Sequence, residues 1–182
     1  MSTKMNVKTM SLVAMMTVII CVSAWITVPM TVPFTMQIFG VFAAVLILGG
    51  KLGTMSIILY MLLGLVGLPV FSGFKGGAAA LFGPTGGYII GFLAIAVLYT
   101  VYETLAKERT KAKTVAVLVA GLVLCYVFGT VWFCVVMNGR GGSYSFVSAL
   151  AVCVIPYIIP DLAKMALALL VSDRVNRVLH IH

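Results

Sequence analysis

Long apolar runs, separated by short polar or glycine- and proline-rich breaks, make up almost the whole chain. A helix rises 1.5 Å per residue and a bilayer's hydrocarbon core is ~30 Å thick, so this pattern predicts an all-α integral membrane protein. Six transmembrane helices are expected in a single membrane domain over residues 1–182, at about 9–28, 33–48, 54–68, 85–104, 114–137 and 146–178, the last broken at 156–160. The basic start, the first apolar run and Val22-Ser23-Ala24 also have the layout of a signal peptide. That run is as long as a span and further spans follow it, so it reads as the first span. Ser11, Ala14 and Thr17 form a small-residue stripe along it, which suits close helix contact but is common in membrane helices generally. Residues 29–37 form an uncharged break with two prolines, and 49–53 a tight turn carrying Lys51. Residues 69–84 are too rich in glycine and proline for a straight helix yet apolar enough to stay near the membrane. Irregular backbone of that kind is tolerated where protein buries it or where it lines a cavity. Gly83, Gly87 and Gly91 recur every four residues, a face on which another helix backbone can approach closely.

The last apolar run is the least regular. Residues 146–155 number only ten, too few to cross the core. One layout is a single span over 146–171 kinked at Pro156 and Pro160. The other is a partial helix near the outer face, then a fresh span opened by Pro160 and running to about residue 178. The second accounts for both prolines and sets Asp161 and Lys164 level with the glycine-rich stretch. Its cost is that Asp173 and Arg174 enter the last turns and must snorkel. Pro160 suits a first helical turn, where a missing N–H costs nothing. Asp161 then falls at the positive end of the helix dipole, and Lys164, three residues on, shares its face.

Composition supports the membrane reading: 63% of residues are hydrophobic and 9% charged, against about 25% charged in soluble domains. The net charge of +8 lies mostly in short loops. With six crossings, Lys4, Lys8, Lys51, Lys107, Arg109, Lys111, Lys113, Arg174 and Arg177 fall on one side, and Lys75 and Arg140 on the other. This asymmetry sets topology, with both termini cytoplasmic, and does not call for nucleic acid. The four cysteines, Cys21, Cys125, Cys134 and Cys153, lie inside apolar runs without CxxC spacing, so disulfide and metal roles are not expected. The only histidines, His180 and His182, end the chain.

The chemistry is that of binding. There is no Walker motif, HExxH, nucleophile–histidine pair at membrane depth or pair of catalytic carboxylates. A charged side chain near mid-membrane costs roughly 2.5–3.5 kcal/mol on insertion scales, so Asp161 and Lys164 mark a functional site by default. A carboxylate accepts N–H bonds and a lysine binds an anion, which suits a small ligand with both an amide-like or ureido N–H and a carboxylate. An outward-facing pocket is expected from Gln37, Lys75, Tyr88, Asp161 and Lys164. Thr35 and Thr85 are further polar positions, and Phe34, Phe71 and Phe74 offer aromatic walls beside Gly76 and Gly77. The competing readings are a pair that only locks helices together and, more remotely, an intramembrane acid and base.

Three runs are similar to the BioY family, the biotin-specific substrate-binding (S) components of energy-coupling factor (ECF) transporters. They are Val32-Pro33-Phe34-Thr35-Met36-Gln37; then Gly67-Leu68-Pro69-Val70-Phe71 through Gly76-Gly77 to Gly83-Pro84-Thr85-Gly86-Gly87-Tyr88; and Pro156 through Pro160-Asp161-Leu162-Ala163-Lys164. The resemblance implies an ECF S-component-like fold of six helices with a high-affinity biotin pocket at the extracellular face of a bacterial plasma membrane. Asp161 would hold the ureido ring and Lys164 would lie near the valerate carboxylate, with Lys75 in the loop that caps the pocket. Among the candidates for ligand contact are also Gln37, Tyr88, Thr85, Phe34, Phe74, Gly76 and Gly77. Biotin is then cargo rather than cofactor. The implied partners are a transmembrane coupling subunit and two cytoplasmic ATPase subunits, in a lipid bilayer. Small residues four apart on the first helix often serve docking in this family; here Ala14 is followed four on by Val18, a departure.

Overall fold

The computed structural model describes residues 6–30, 32–106 and 108–179. Lys4, Lys107, His180 and His182 lie outside the described residues. Eight helices are present among those described: α1 (Val7–Trp25), α2 (Gln37–Leu48), α3 (Gly50–Leu65), α4 (Ala78–Leu81), α5 (Gly86–Leu105), α6 (Lys111–Gly139), α7 (Phe146–Cys153) and α8 (Ile155–Leu179). Four of them, α1, α5, α6 and α8, are long and apolar enough to cross a membrane.

α2 and α3 are shorter. At 12 residues, α2 rises only about 18 Å. It is nonetheless the centre of the molecule, packed against α1, α3 and α8, with every residue but Phe39 buried. Surrounded by protein, it need not match the thickness of a bilayer. The expected five-residue turn at 49–53 is in fact a single residue: Gly49, at φ 81°, joins α2 to α3, and Gly50 already begins the new helix. The Glu103 carboxylate, from the end of α5, accepts the Gly50 N–H at 2.5 Å and so caps a helix start that has no capping side chain of its own.

Of the three glycines expected to permit close helix packing, Gly87 and Gly91 do so, whereas Gly83 lies before α5 and a β-carbon there would meet the Ala79 and Ala80 carbonyls. A β-carbon at Gly87 would fall 2.3 Å from that of Trp132, and one at Gly91 would fall 2.9 Å from Cys125 Sγ. α5 and α6 therefore pack backbone to backbone. In the α1 stripe only Thr17 is buried, its hydroxyl bonded to the Val13 and Ser56 carbonyls, while Ser11, Ala14 and Val18 face outward.

Two of the expected breaks between helices take a definite form. The break after α1 is a minimal antiparallel ribbon, β1 (Thr27–Val28) with β2 (Phe34–Thr35). The glycine-rich stretch folds as a 3-10 turn at Ser72–Phe74 followed by the one-turn α4. It is pinned down by the Trp25 indole donating to the Pro69 carbonyl at 2.9 Å, by Thr27 and Ser72 hydroxyls 3.0 Å apart, and by Gly77 N–H donating to the Gly64 carbonyl. Phe71 turns inward over Gly64, edge-on to Tyr60.

The irregular last run follows the two-piece layout, with one correction. α7 ends at Cys153 and α8 starts at Ile155, so Pro156 occupies its first turn and Pro160 lies inside the helix. Asp161 is then nearly two turns in. The dipole fades within the first turn, so it no longer accounts for the aspartate; direct partners do.

Candidate ligand-binding site

Asp161 and Lys164 are 5% and 6% exposed. Lys164 Nζ donates to Asp161 Oδ1 at 2.7 Å, an i,i+3 pair on α8. The Tyr126 hydroxyl, from α6, donates to Asp161 Oδ2 at 2.6 Å. Both oxygens are thus engaged by charged or polar hydrogen, which is what a buried carboxylate requires. The lysine ammonium also lies 3.9 Å from the centroid of the Phe34 ring, a cation–π contact. The β ribbon sets that ring in place: Phe34 pairs with Val28 and stacks on Tyr157, whose hydroxyl donates to the Val32 carbonyl.

The pair forms one wall of an open cavity. Gln37 and Ile38 at the start of α2 form another, with Thr85, Tyr88, Ile89 and Phe92 from the start of α5. Cys125, Cys153, Tyr157, Ser72 and residues 32, 33 and 35 close it. The Gln37 amide nitrogen donates to Tyr60 at 2.6 Å, leaving the amide oxygen as an acceptor. Tyr88 rests on Gly129, where a β-carbon would meet its ring, and its hydroxyl is 3.1 Å from that of Thr130.

Six of the sequence candidates are therefore brought together: Asp161, Lys164, Gln37, Tyr88 and Thr85 on the cavity wall, with Phe34 beneath the ammonium. The other four are elsewhere. Phe74 is 63% exposed and stacks on Trp25. Gly76 and Gly77 fold back on the end of α3, where a β-carbon at Gly76 would strike the Leu68 carbonyl. Lys75 lines a neighbouring cavity. Sequence reasoning missed Tyr126, Tyr157 and Ser72. None of the three carries a mark within an apolar or glycine-rich run; only packing brings them to the site.

Chemically, the site offers hydrogen-bond acceptors beside a cation. Each Asp161 oxygen retains a lone pair after its existing bond, and Lys164 retains two N–H groups. A ligand that donates through N–H and carries a negative group satisfies both, with a largely apolar and aromatic lining for the rest of its surface. Among the described residues no group of three or more His, Cys, Asp or Glu could hold a metal ion.

The sequence profile of the BioY family matches residues 1–181. The biotin transporter BioY of Thermotoga maritima is 40% identical over 162 residues, covering 88% of this chain and 91% of that protein. The probable biotin transporter BioY of Pyrococcus horikoshii is 38% identical over 173 residues, 94% of this chain and 98% of its own. Among solved structures, the 2.1 Å crystal structure of the S-component for biotin from an ECF-type ABC transporter superposes with a TM-score of 0.84 at 26% identity, covering 97% of this chain and 95% of that one. A match over nearly the whole length, in sequence and in fold, makes this chain a member of the BioY family.

Proposed function

We propose that the chain is the biotin-binding S component of an ECF-type uptake transporter, a multi-pass membrane protein that captures biotin from outside the cell. The observation that carries this is the buried Asp161–Lys164 pair opening on a cavity, in a chain whose relatives are named as biotin transporters. Asp161 accepts the ureido N–H groups. Lys164, only 2.7 Å from the Asp161 carboxylate, sits at the same end of the ligand and donates to the ureido carbonyl, not to the distant valerate carboxylate expected for it. Gln37, Tyr88, Thr85 and Phe34 shape the pocket. Lys75, Phe74, Gly76 and Gly77 belong to the loop that covers it.

The whole chain acts as a single membrane domain. We read six crossings, counting α2 and α3 with the four long helices and α7 as a partial element. The excess of basic residues at the ends of α5, α6 and α8 supports cytoplasmic termini. Transport energy then comes from a transmembrane coupling subunit and two cytoplasmic ATPase subunits, because this chain has no nucleotide-binding motif.

The rival in which the pair merely locks two helices loses support, since both charges sit on α8 and only Tyr126 ties them to another helix. Calorimetric titration of the detergent-purified chain with biotin is the test. Submicromolar binding is expected; affinity no better than millimolar would refute the proposal. Riboflavin or thiamine binding in biotin's place would reassign the cargo.

A further inference from the structure

A second cavity adjoins the first: Pro33, Ser72, Thr85 and Ile89 belong to the walls of both. Lys75, just after the 3-10 turn, and Arg140, just after α6, line it. Neither cation takes part in the ion pairs found among the described residues, which join Arg109 to Glu103, Lys111 to Asp173 and Lys164 to Asp161. Three of the four carboxylates are remote. α5 rises about 30 Å from its Thr85 end to its Glu103 end. Glu108 follows in the connection between α5 and α6, and Asp173 is bound at that end by Lys111. The fourth, Asp161, is engaged by Lys164 and Tyr126. Two positive side chains therefore share a recess walled by Phe71, Gly83 and Pro84, with no acid to neutralise them. A cleft of one sign with low-dielectric walls focuses its field and concentrates counter-ions.

We propose that this recess is an anion-collecting vestibule, in which Lys75 and Arg140 hold the carboxylate of an incoming ligand before its ring reaches Asp161. This rests on the biotin reading, since biotin carries a carboxylate at the end opposite its ureido ring. The vestibule selects by rate of entry: an acid is drawn in, and its neutral amide is not. The inner ammonium cannot do this from a distance, because Asp161 already compensates its charge.

Both side chains are exposed, so the double variant Lys75→Gln, Arg140→Gln should fold and melt as the parent does. Two measurements in neutral, lipid-free detergent test the idea. The first needs no biotin. Trp25 stacks on Phe74 beside Lys75, and the Trp132 indole donates to the Gly83 carbonyl on the vestibule wall. Iodide should quench tryptophan emission more strongly, relative to neutral acrylamide, in the parent than in the double variant. An equal ratio in the two proteins overturns the proposal. So does a parent preference for iodide that disappears when phosphatidylglycerol is added, which would mark a lipid phosphate as the occupant. The second is stopped-flow association. The biotin on-rate at low salt should fall about tenfold in the variant with release unchanged, while biotinamide enters both proteins equally. An unchanged biotin rate, or equal slowing of both ligands, overturns it. A chain that keeps the iodide preference but binds no biotin would refute the biotin reading and leave the anion site standing.

Discussion

Lys164 and Asp161 compensate each other's charge, and that sets what their removal should do. Asp161→Asn keeps the side-chain volume but leaves an ammonium buried against Phe34 with no counter-charge. Loss of one partner of a buried pair costs about 3–5 kcal/mol, so biotin affinity in titration calorimetry is expected to fall at least ~100-fold. Lys164→Ala should act in the same sense, by removing the carboxylate's partner. Tyr126→Phe is subtler: it deletes only the hydroxyl that donates to Asp161 Oδ2. A hydrogen bond to a charged group is worth about 1.5–3 kcal/mol, which predicts ~10–100-fold weaker binding with the pair itself intact. If Tyr126→Phe binds as the parent does, the hydroxyl neither orients nor stabilises Asp161. The two charges were legible in the sequence because ionised groups among apolar neighbours are costly. Tyr126 was not, because a tyrosine in an apolar helix carries no sign of which helix it will face.

At the level of elements, local signals located the breaks better than they described them. Pro160 announced an interruption near the right place, yet the chain restarts five residues earlier, at Ile155, and carries the proline inside the helix. A proline forfeits one backbone bond there, and sequence alone does not say whether packing compensates. The glycine-rich stretch was recognisable as irregular, but the direction of its rings was not: Phe71 turns in because Gly64 leaves room for it, and Phe74 stacks outside on Trp25. The Gly87 and Gly91 spacing was informative because it reports a requirement on the partner's backbone. Gly91→Leu should therefore force α5 from α6 at Cys125 and lower stability by ~1–3 kcal/mol, read as a reduced melting temperature in detergent. Glu103→Gln weakens the cap that one helix supplies to another at Gly50. Replacing the anion at a helix start by a neutral amide should cost about 1 kcal/mol, with biotin affinity unchanged because Glu103 lies at the other end of α5. A variant that melts as the parent does would show that the carboxylate's charge is idle there.

Hydropathy located the same apolar runs that fold as helices, but it could not say which of them meet lipid. α2 has the look of a short span, and burial by α1, α3 and α8 is what permits its length. Sidedness is carried by charge instead. Lys111 and Lys113 start α6, and Arg174 and Arg177 lie in the last turns of α8, at one end of the bundle; Lys75 and Arg140 lie at the end that holds the cavity. Moving a cluster of lysines and arginines across a membrane is disfavoured, and the proposed topology accordingly sets the two ends on opposite sides, with the cavity outward. Single reporter cysteines test this directly. Cys21, Cys125 and Cys153 are buried, and Cys134, only partly so, is best replaced by serine. On that background a membrane-impermeant maleimide should label Lys75→Cys in intact cells and Lys111→Cys only after lysis. Added biotin should slow labelling of Lys75→Cys without touching the second site, because only the first lies on the route to Asp161. The reverse pattern of labelling would turn the protein over in the membrane and open its cavity to the cytoplasm, which no uptake component that receives cargo from outside can tolerate.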